Sequence, residues 1–424
     1  MDEHASMTRR RLLRQGGLLA GTGALAAAGI GKAAPTASAG VEATNFDVWV
    51  NAGGPGYADI FKLGAERYTK KTGGYANVQL ISTLDYGTKL KTAVAGGAPP
   101  DIAQIGTGAL IADLIAANAL VPLDSAIKTG FPKFFPNLLA DLSFNGKLYA
   151  IPVDANSLHV AYNKNLFKKY HLQPPTTINE FIQIKKVLGQ NGIQCMGAPL
   201  PAFAGSDLFF QYVAYVDQTN NAIHLADKGK LSWTDKRFVE ALGYVQQYAK
   251  NELANGPSWT NPTYDLWTDF LAQRLGMVYP IGNFATEYVN GVTKGKFEWG
   301  VFPLPAPRAG TPLRSTGGAA VSFSLFAGAK NPAAALDYIR LLCDRTGKVE
   351  LVAKQFIPSS SAPPYGGKFP PIYKYWLKYQ KTVGTRFLLN AKVSQALLNG
   401  TVELYTKGRT PLEVAQSMAA AAKS

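Results

Sequence analysis

Two cysteines, Cys195 and Cys343, are all that 424 residues contain. They lie far apart, and spacing alone does not show whether they meet. Cys343 falls on an apolar helix face, as a buried free thiol does. Histidine is almost as scarce. Of the four, His159, His171 and His224 lie beyond the first segment of the chain, and they have no metal-ligand spacing. The patterns HExxH, CxxC and GxSxG are missing, and so is the phosphate-binding GxxxxGK[ST]. No metal or cofactor is therefore expected. Charged residues are few at 17% and apolar ones make up 47%, a globular composition with no long disordered tract in the body of the chain. After the N-terminus no run approaches the ~20 apolar residues of a membrane-spanning helix.

The first 39 residues read differently. A basic start precedes an Ala- and Gly-rich apolar stretch, Gly16 to Gly31, and Ala37-Ser38-Ala39 fits a small-residue cleavage site. Thr8-Arg9-Arg10-Arg11-Leu12-Leu13-Arg14 is similar to a twin-arginine export signal. Residues 1–39 are thus expected to export the chain, to the periplasm or to the outer face of the cytoplasmic membrane. Whether the segment is cleaved or kept as an anchor is left open. The net charge of +15 would suit nucleic acid or an anionic surface. The lysines are scattered without a basic block, however, so a solvated basic surface is expected and nucleic acid is not.

A chain this long is expected to fold as more than one domain. Strands and helices alternate from the start: FDVWVN, a helix from Tyr57 with Ile60, Phe61, Gly64 and Tyr68 on one face, ANVQLIS, a short helix, DIAQIG, then ALIADLIAANAL. This order predicts an α/β fold with a parallel sheet whose ligands bind beyond the carboxyl ends of its strands. Further on, NGKLYAIPV and SLHVAYN read as strands and Thr177-x-x-Glu180 as a capping box. The stretch 206–290 reads mostly as helix. FEWGVFPLPAP and GGAAVSFSLFAG read as strands, and a helix starts at Asn331-Pro332 with Asn331 as its cap. Gly106-Thr107-Gly108 lacks the third glycine of a dinucleotide loop, so it predicts a tight strand-to-helix turn instead. Aromatics are abundant, with 6 Trp, 20 Tyr and 21 Phe. Some stand beside Gly, Asn and Asp at predicted strand ends, as in AGGPGY, LDYG, SDLFFQY and PIGNF. Rings beside amides and carboxylates suit a neutral polyhydroxylated ligand.

In series, AGGAPPDIAQIGTGALIADLIAANALVPLD, NGKLYAIPV, VAYNKNLFKKYHLQPPTTINEF, DFLAQRLGMVYPIGNF, WGVFPLPAP and KNPAAALDYIRLLC resemble the carbohydrate-binding family 1 of extracellular solute-binding proteins that serve ABC importers. The pattern departs at Thr177-Ile178, at Gln273-Arg274, and at Phe284, which stands where the family carries a tryptophan that stacks on sugar. The resemblance implies two α/β lobes around a ligand cleft, joined by three crossings near Val153 to Asn156, Glu298 to Phe302 and Ala327 to Asn331. Lobe one would be 42–153 plus 300–327, and lobe two 154–299 plus 328–424. It implies a monomeric, non-enzymatic receptor that closes on a sugar and docks on membrane permease subunits. Ligand contacts are expected from Asn51, Gly53, Tyr86, Thr107, Asp154, Asn156, Phe209, Phe284, Gly317 and Gly318. The rival class is an exported carbohydrate-active enzyme, a hydrolase or lyase, because a carboxylate pair has no sequence signature. Within the receptor class, a polyol, glycerol phosphate or peptide are the alternative ligands.

Overall fold

The computed structural model describes residues 44–51, 57–106, 108–198, 204–219, 221–254, 266–360, 371–379, 383–385 and 390–424. The chain divides into Met1–Glu42 and Ala43–Ser424, and the expected export segment lies outside the described residues.

The strands, in chain order, are β1 Phe46–Asn51, β2 Ala76–Ile81, β3 Ile102–Gln104, β4 Ser143–Phe144, β5 Lys147–Leu148, β6 Ile151–Pro152, β7 Asp154–Asn163, β8 Gln194–Gly197, β9 Leu275–Gly282, β10 Trp299–Phe302, β11 Thr316–Gly318, β12 Ser322–Leu325, β13 Ile357–Pro358 and β14 Gly384–Thr385. A first sheet has the order β2-β1-β3-β12-β6. Its β1, β2 and β3 are parallel, as the strand–helix alternation predicts, and β12 runs antiparallel to β3 and β6. Helix Tyr57–Thr72 buries Tyr57, Ile60, Phe61, Gly64 and Tyr68, the five positions its spacing singles out. Gly64 is required by close packing: a Cβ there would sit 2.6 Å from Leu342 Cδ2 on helix Pro332–Cys343.

The second sheet has the order β14-β11-β7-β9-β8, and β10 and β13 also pair with β7. β7 pairs antiparallel with β9, β10, β11 and β13. Both faces are covered. Leu275, Val278, Ile281, Trp299 and Val301 join one core with Tyr373 and Trp376. Met277, Tyr279 and Phe302 join the other, under helices such as Gly205–Val216 and Lys236–Lys250. Period-two alternation between two apolar cores leaves an unbroken apolar run. That explains why β9, Leu275–Gly282, lies inside the stretch 206–290 that reads as helix.

The chain changes sheet at Val153, between β6 and β7. It returns between Gly318 and Ser322 and leaves again before β13. Two expected crossings are thereby displaced. Residues 299–302 and 316–318 pair with β7 in the second sheet, so Glu298 to Phe302 is no point of return. Helix Pro332–Cys343 packs on helix Tyr57–Thr72, β1 and β12, so Ala327 to Asn331 does not lead to the second sheet. Its apolar face decides this, with Tyr338, Ile339 and Leu342 buried in the first core. Asn331 makes no side-chain cap. The Asp101 carboxylate instead accepts from the backbone N–H groups of Lys330 at 2.6 Å and Asn331 at 3.0 Å. Both cysteines are free and buried, Cys343 in the first core and Cys195 in the second.

Candidate functional site

Asp154 stands where the chain passes between the sheets. Its side chain is fully buried. The Val321 backbone N–H donates to Oδ1 at 2.6 Å, and the Tyr57 hydroxyl donates to Oδ2 at 3.0 Å. Val153 N–H donates to Val321 O at 2.8 Å, and Ser359 N–H to Val153 O at 3.1 Å. Pro358 pairs with Asp154. Three separate passages of the chain, 151–154, 319–322 and 357–359, thus meet at Asp154, whose carboxylate binds the second and whose strand pairs with the third. Burial pushes Asp154 up to about 7, against the opposing pull of the Val321 and Tyr57 hydrogen bonds. Both oxygens are engaged by protein donors, which a carboxylate facing a ligand would not have been expected to do.

Two residues on, Asn156 is buried and its Oδ1 has no hydrogen-bond partner among the described residues; the same holds for Ser157 Oγ and Thr316 Oγ1. The register brings two of these groups together, Asn156 and Thr316, on one face of the sheet, while Ser157, adjacent to Asn156 on β7, points to the opposite face. Gly317 lies opposite Ser157 and Gly318 opposite Asn156, with Thr316 next in line on β11. Gly317 has a steric reason to be glycine, since a Cβ would lie 1.9 Å from Asn156 O. Gly318 has φ +133°, a conformation side chains disfavour. Asn283 ties the turn after β9 to this strand, its Oδ1 accepting from Ser157 N–H and its Nδ2 donating to Ala155 O, both at 3.3 Å. The backbone of Phe284 is carried by that turn, Asn283–Ala285; its side chain lies outside the described residues, as do Gly53 and Thr107.

Of the other expected contacts, Tyr86 and Phe209 serve the fold. The Tyr86 hydroxyl lies 3.0 Å from Trp49 O and 2.7 Å from Gln104 O, tying the ends of β1 and β3, and the side chain is buried. Asn51 N–H donates to Gln104 Oε1 at 3.1 Å at the same strand end. Phe209 is a correction. It has no exposed surface, and its ring packs against Phe210 and Phe238 inside the second core. Its helix is buried on nearly every side, so the aromatic pair in SDLFFQY faces protein. His159 is likewise a core residue, edge-on to Trp376 with ring centroids 4.6 Å apart, and burial lowers it to about 3.

One group escaped the sequence. Thr385, opposite Gly317, donates to Asp141 Oδ1 at 2.6 Å and lies 3.1 Å from His224 Nε2. Asp141 Oδ1 and His224 Nε2 are 3.6 Å apart. Burial pushes Asp141 up to about 7 and lowers His224. Each is driven toward its neutral form, so the contact is a hydrogen-bonded cluster rather than a strong ion pair. The three come from places 161 and 244 positions apart, and no short motif links them.

The arrangement offers amide, hydroxyl and carboxyl groups around β7, β11 and β14. Among the described residues no group of three or more His, Cys, Asp or Glu is placed to hold a metal ion. A family model described as bacterial extracellular solute-binding protein matches residues 22–348. An uncharacterized ABC transporter extracellular-binding protein of Pyrococcus horikoshii is 25% identical over 64% of this chain and 63% of that protein. The melibiose/raffinose/stachyose-binding protein MelE of Bacillus subtilis is 21% identical over 65% of this chain and 64% of that one. The matched part therefore spans a little under two thirds of these relatives' length. Among solved structures, a chitin oligosaccharide binding protein superposes with a TM-score of 0.72 at 17% identity, covering 90% of this chain and 98% of that one. The two-sheet architecture is thus the two-lobe solute-binding fold, and the chain belongs to the family of bacterial extracellular solute-binding proteins.

Proposed function

We propose that this chain is the extracytoplasmic substrate-binding component of an ABC importer and that it takes a sugar, mono- or oligosaccharide, between its lobes without transforming it. The observation that carries the reading is the pair of buried polar atoms on one face of the sheet, Asn156 Oδ1 and Thr316 Oγ1, that have no hydrogen-bond partner among the described residues. Buried polar groups are hydrogen-bonded as a rule, and those that are not mark a place for a bound molecule or water. Hydroxyl-rich ligands supply donors and acceptors in alternation, which suits amide and hydroxyl side chains. The names of MelE and of the chitin oligosaccharide binding protein support this choice of ligand class.

The ligand contacts assigned here are Asn156, Thr316 and Gly318, with Phe284 stacking on a sugar face and Gly53 and Thr107 closing from the first lobe. Lobe one would hold the first sheet with helix Pro332–Cys343, and lobe two the second sheet. Asp154 fastens the passages between them. The protein acts as an exported monomer, guided by Arg9-Arg10, and hands its ligand to permease subunits in the membrane. Replacing both arginines by lysine should leave the precursor in the cytoplasm; normal export of that variant would remove the twin-arginine reading.

A thermal-shift panel of sugars, polyols, glycerol phosphate and peptides tests the ligand class. At 100 times its dissociation constant a ligand adds about 2.7 kcal/mol to folded stability. Chromatography of the recovered sugar separates a receptor from an enzyme, since a receptor returns it intact. No shift with any sugar, or a cleaved sugar, overturns the proposal.

A further inference from the structure

A depression of about 530 Å³ lies at the other end of β7, lined among others by Lys164, Asn165, Asn290, Lys294, Lys296 and Trp299. β7 runs ten residues from Asp154 to Asn163, and at ~3.3 Å per residue its ends are roughly 30 Å apart. Trp299 pairs with Asn163, which sets the loop before β10 beside Lys164. The depression is therefore separate from the ligand groups at Asn156 and Thr316.

Its lining is rich in donors. Asn165 Oδ1 accepts from Glu298 N–H at 3.1 Å, and Asn290 Oδ1 accepts from the Trp299 indole N–H at 2.9 Å. A backbone or indole N–H can only donate, so each asparagine is fixed with its oxygen toward the protein and keeps its NH₂ as the end a ligand meets. Among the described residues none of Lys164, Lys294 and Lys296 has an ion-pair partner. Among the described residues Glu298 is the one acidic residue of the lining, and its backbone is used at both ends, because Lys164 N–H donates to Glu298 O at 2.9 Å. Lys164 is also held in place. A Cβ on Gly300 would sit 2.8 Å from Lys164 Cε, so the glycine makes room for the lysine stem to lie across β10.

Three ammonium groups and two amide NH₂ groups against one carboxylate describe a receptor for a compact polyanion. We infer that this depression is a second binding site, for a phosphate group. Ammonium groups bind phosphate as point charges and need no bidentate geometry. Two sources carry that group, a soluble phosphate and an anionic phospholipid headgroup. The net charge of +15 favours approach to either.

The test uses the full-length protein and two triple variants. One replaces Lys164, Lys294 and Lys296 by Gln; the other replaces Lys62, Lys70 and Lys71, exposed lysines of helix Tyr57–Thr72, and matches it in charge. Inorganic phosphate and pyrophosphate are titrated by calorimetry, and phosphatidylglycerol and phosphatidylcholine vesicles are tested by co-sedimentation. The site triple should lose at least tenfold in affinity for one of these anions while the control keeps it. Loss with soluble phosphate assigns that source; loss confined to phosphatidylglycerol vesicles assigns the headgroup. Equal losses in both triples, or none in either, overturn the site. Sugar affinity measured on the same variants should not move, which separates a failure here from a failure of the sugar-receptor reading.

Discussion

The first sheet and the second obey different rules of burial. In the first, β1 alternates buried and half-buried residues and follows the strand–helix order of its sequence. In the second, β7 buries nine of its ten residues, and those include Asp154, Asn156, Ser157, His159 and Asn163. Burying a polar side chain costs free energy unless it finds a partner. Asp154 and Asn163 find partners, whereas Asn156 Oδ1 and Ser157 Oγ find none among the described residues, so the beginning of β7 is built for something besides cohesion. The first sheet is a frame, and the beginning of β7 is where the second sheet departs from one.

That contrast sets an order of expected effects. The largest is at Phe209, inside the apolar core under the second sheet. Phe209→Ala should cost roughly 3–5 kcal/mol in urea denaturation, with sugar affinity of the folded fraction unchanged; a selective loss of affinity would return Phe209 to the ligand site. Asp154→Ala should cost about 1–3 kcal/mol, because two buried donors lose their acceptor. Tyr57→Phe should cost less, and the double variant should fall short of the sum, as it does for groups in one network.

A pH series sharpens the comparison further. Asp154 and Asp141 are raised in the fold from 3.8 to about 7. Between these values the folded chain holds more protons than the unfolded one. Their contribution to stability is therefore fully present below pH 3.8 and is lost as the pH rises through about 7. Asp154→Asn or Asp141→Asn should flatten that decline in thermal melts from pH 4 to 8, and an unchanged slope would show that these carboxyls ionise freely. Phe284→Ala should weaken sugar binding by about 0.5–1.5 kcal/mol at little cost in stability, and Phe284→Trp should be tolerated. Effects of the same size are expected at Thr316→Val and Asn156→Ala, each lowering affinity by about 0.5–1.5 kcal/mol in calorimetry. If both leave affinity untouched, the unpartnered atoms are not ligand contacts.

The sequence made the frame readable and hid most of the site. Tyr57, Ile60, Phe61, Gly64 and Tyr68 declare their helix because one face meets water and the other does not. β9 does not declare itself, since its two faces meet two apolar cores. Asp154 and Asn156 stand out as polar residues after an apolar strand, but whether a carboxylate meets ligand or backbone is decided by Val321 and Tyr57, remote in sequence. Thr385, Asp141 and His224 come together only because β14 pairs with β11. Asn331 has the residue type of a cap, yet Asp101, from the neighbouring strand's entrance, does the capping. Pairing across the sheet, which no local pattern encodes, made each of these differences.

The two thiols give the molecule a pair of internal clocks. Cys343 and Cys195 are each fully enclosed, and burial raises both far from thiolate formation, so neither reacts while its surroundings stay shut. One belongs to each core. The rate at which each is trapped by an alkylating reagent therefore times the opening of its own core, residue by residue in a mass spectrum, with no label added and no side chain replaced.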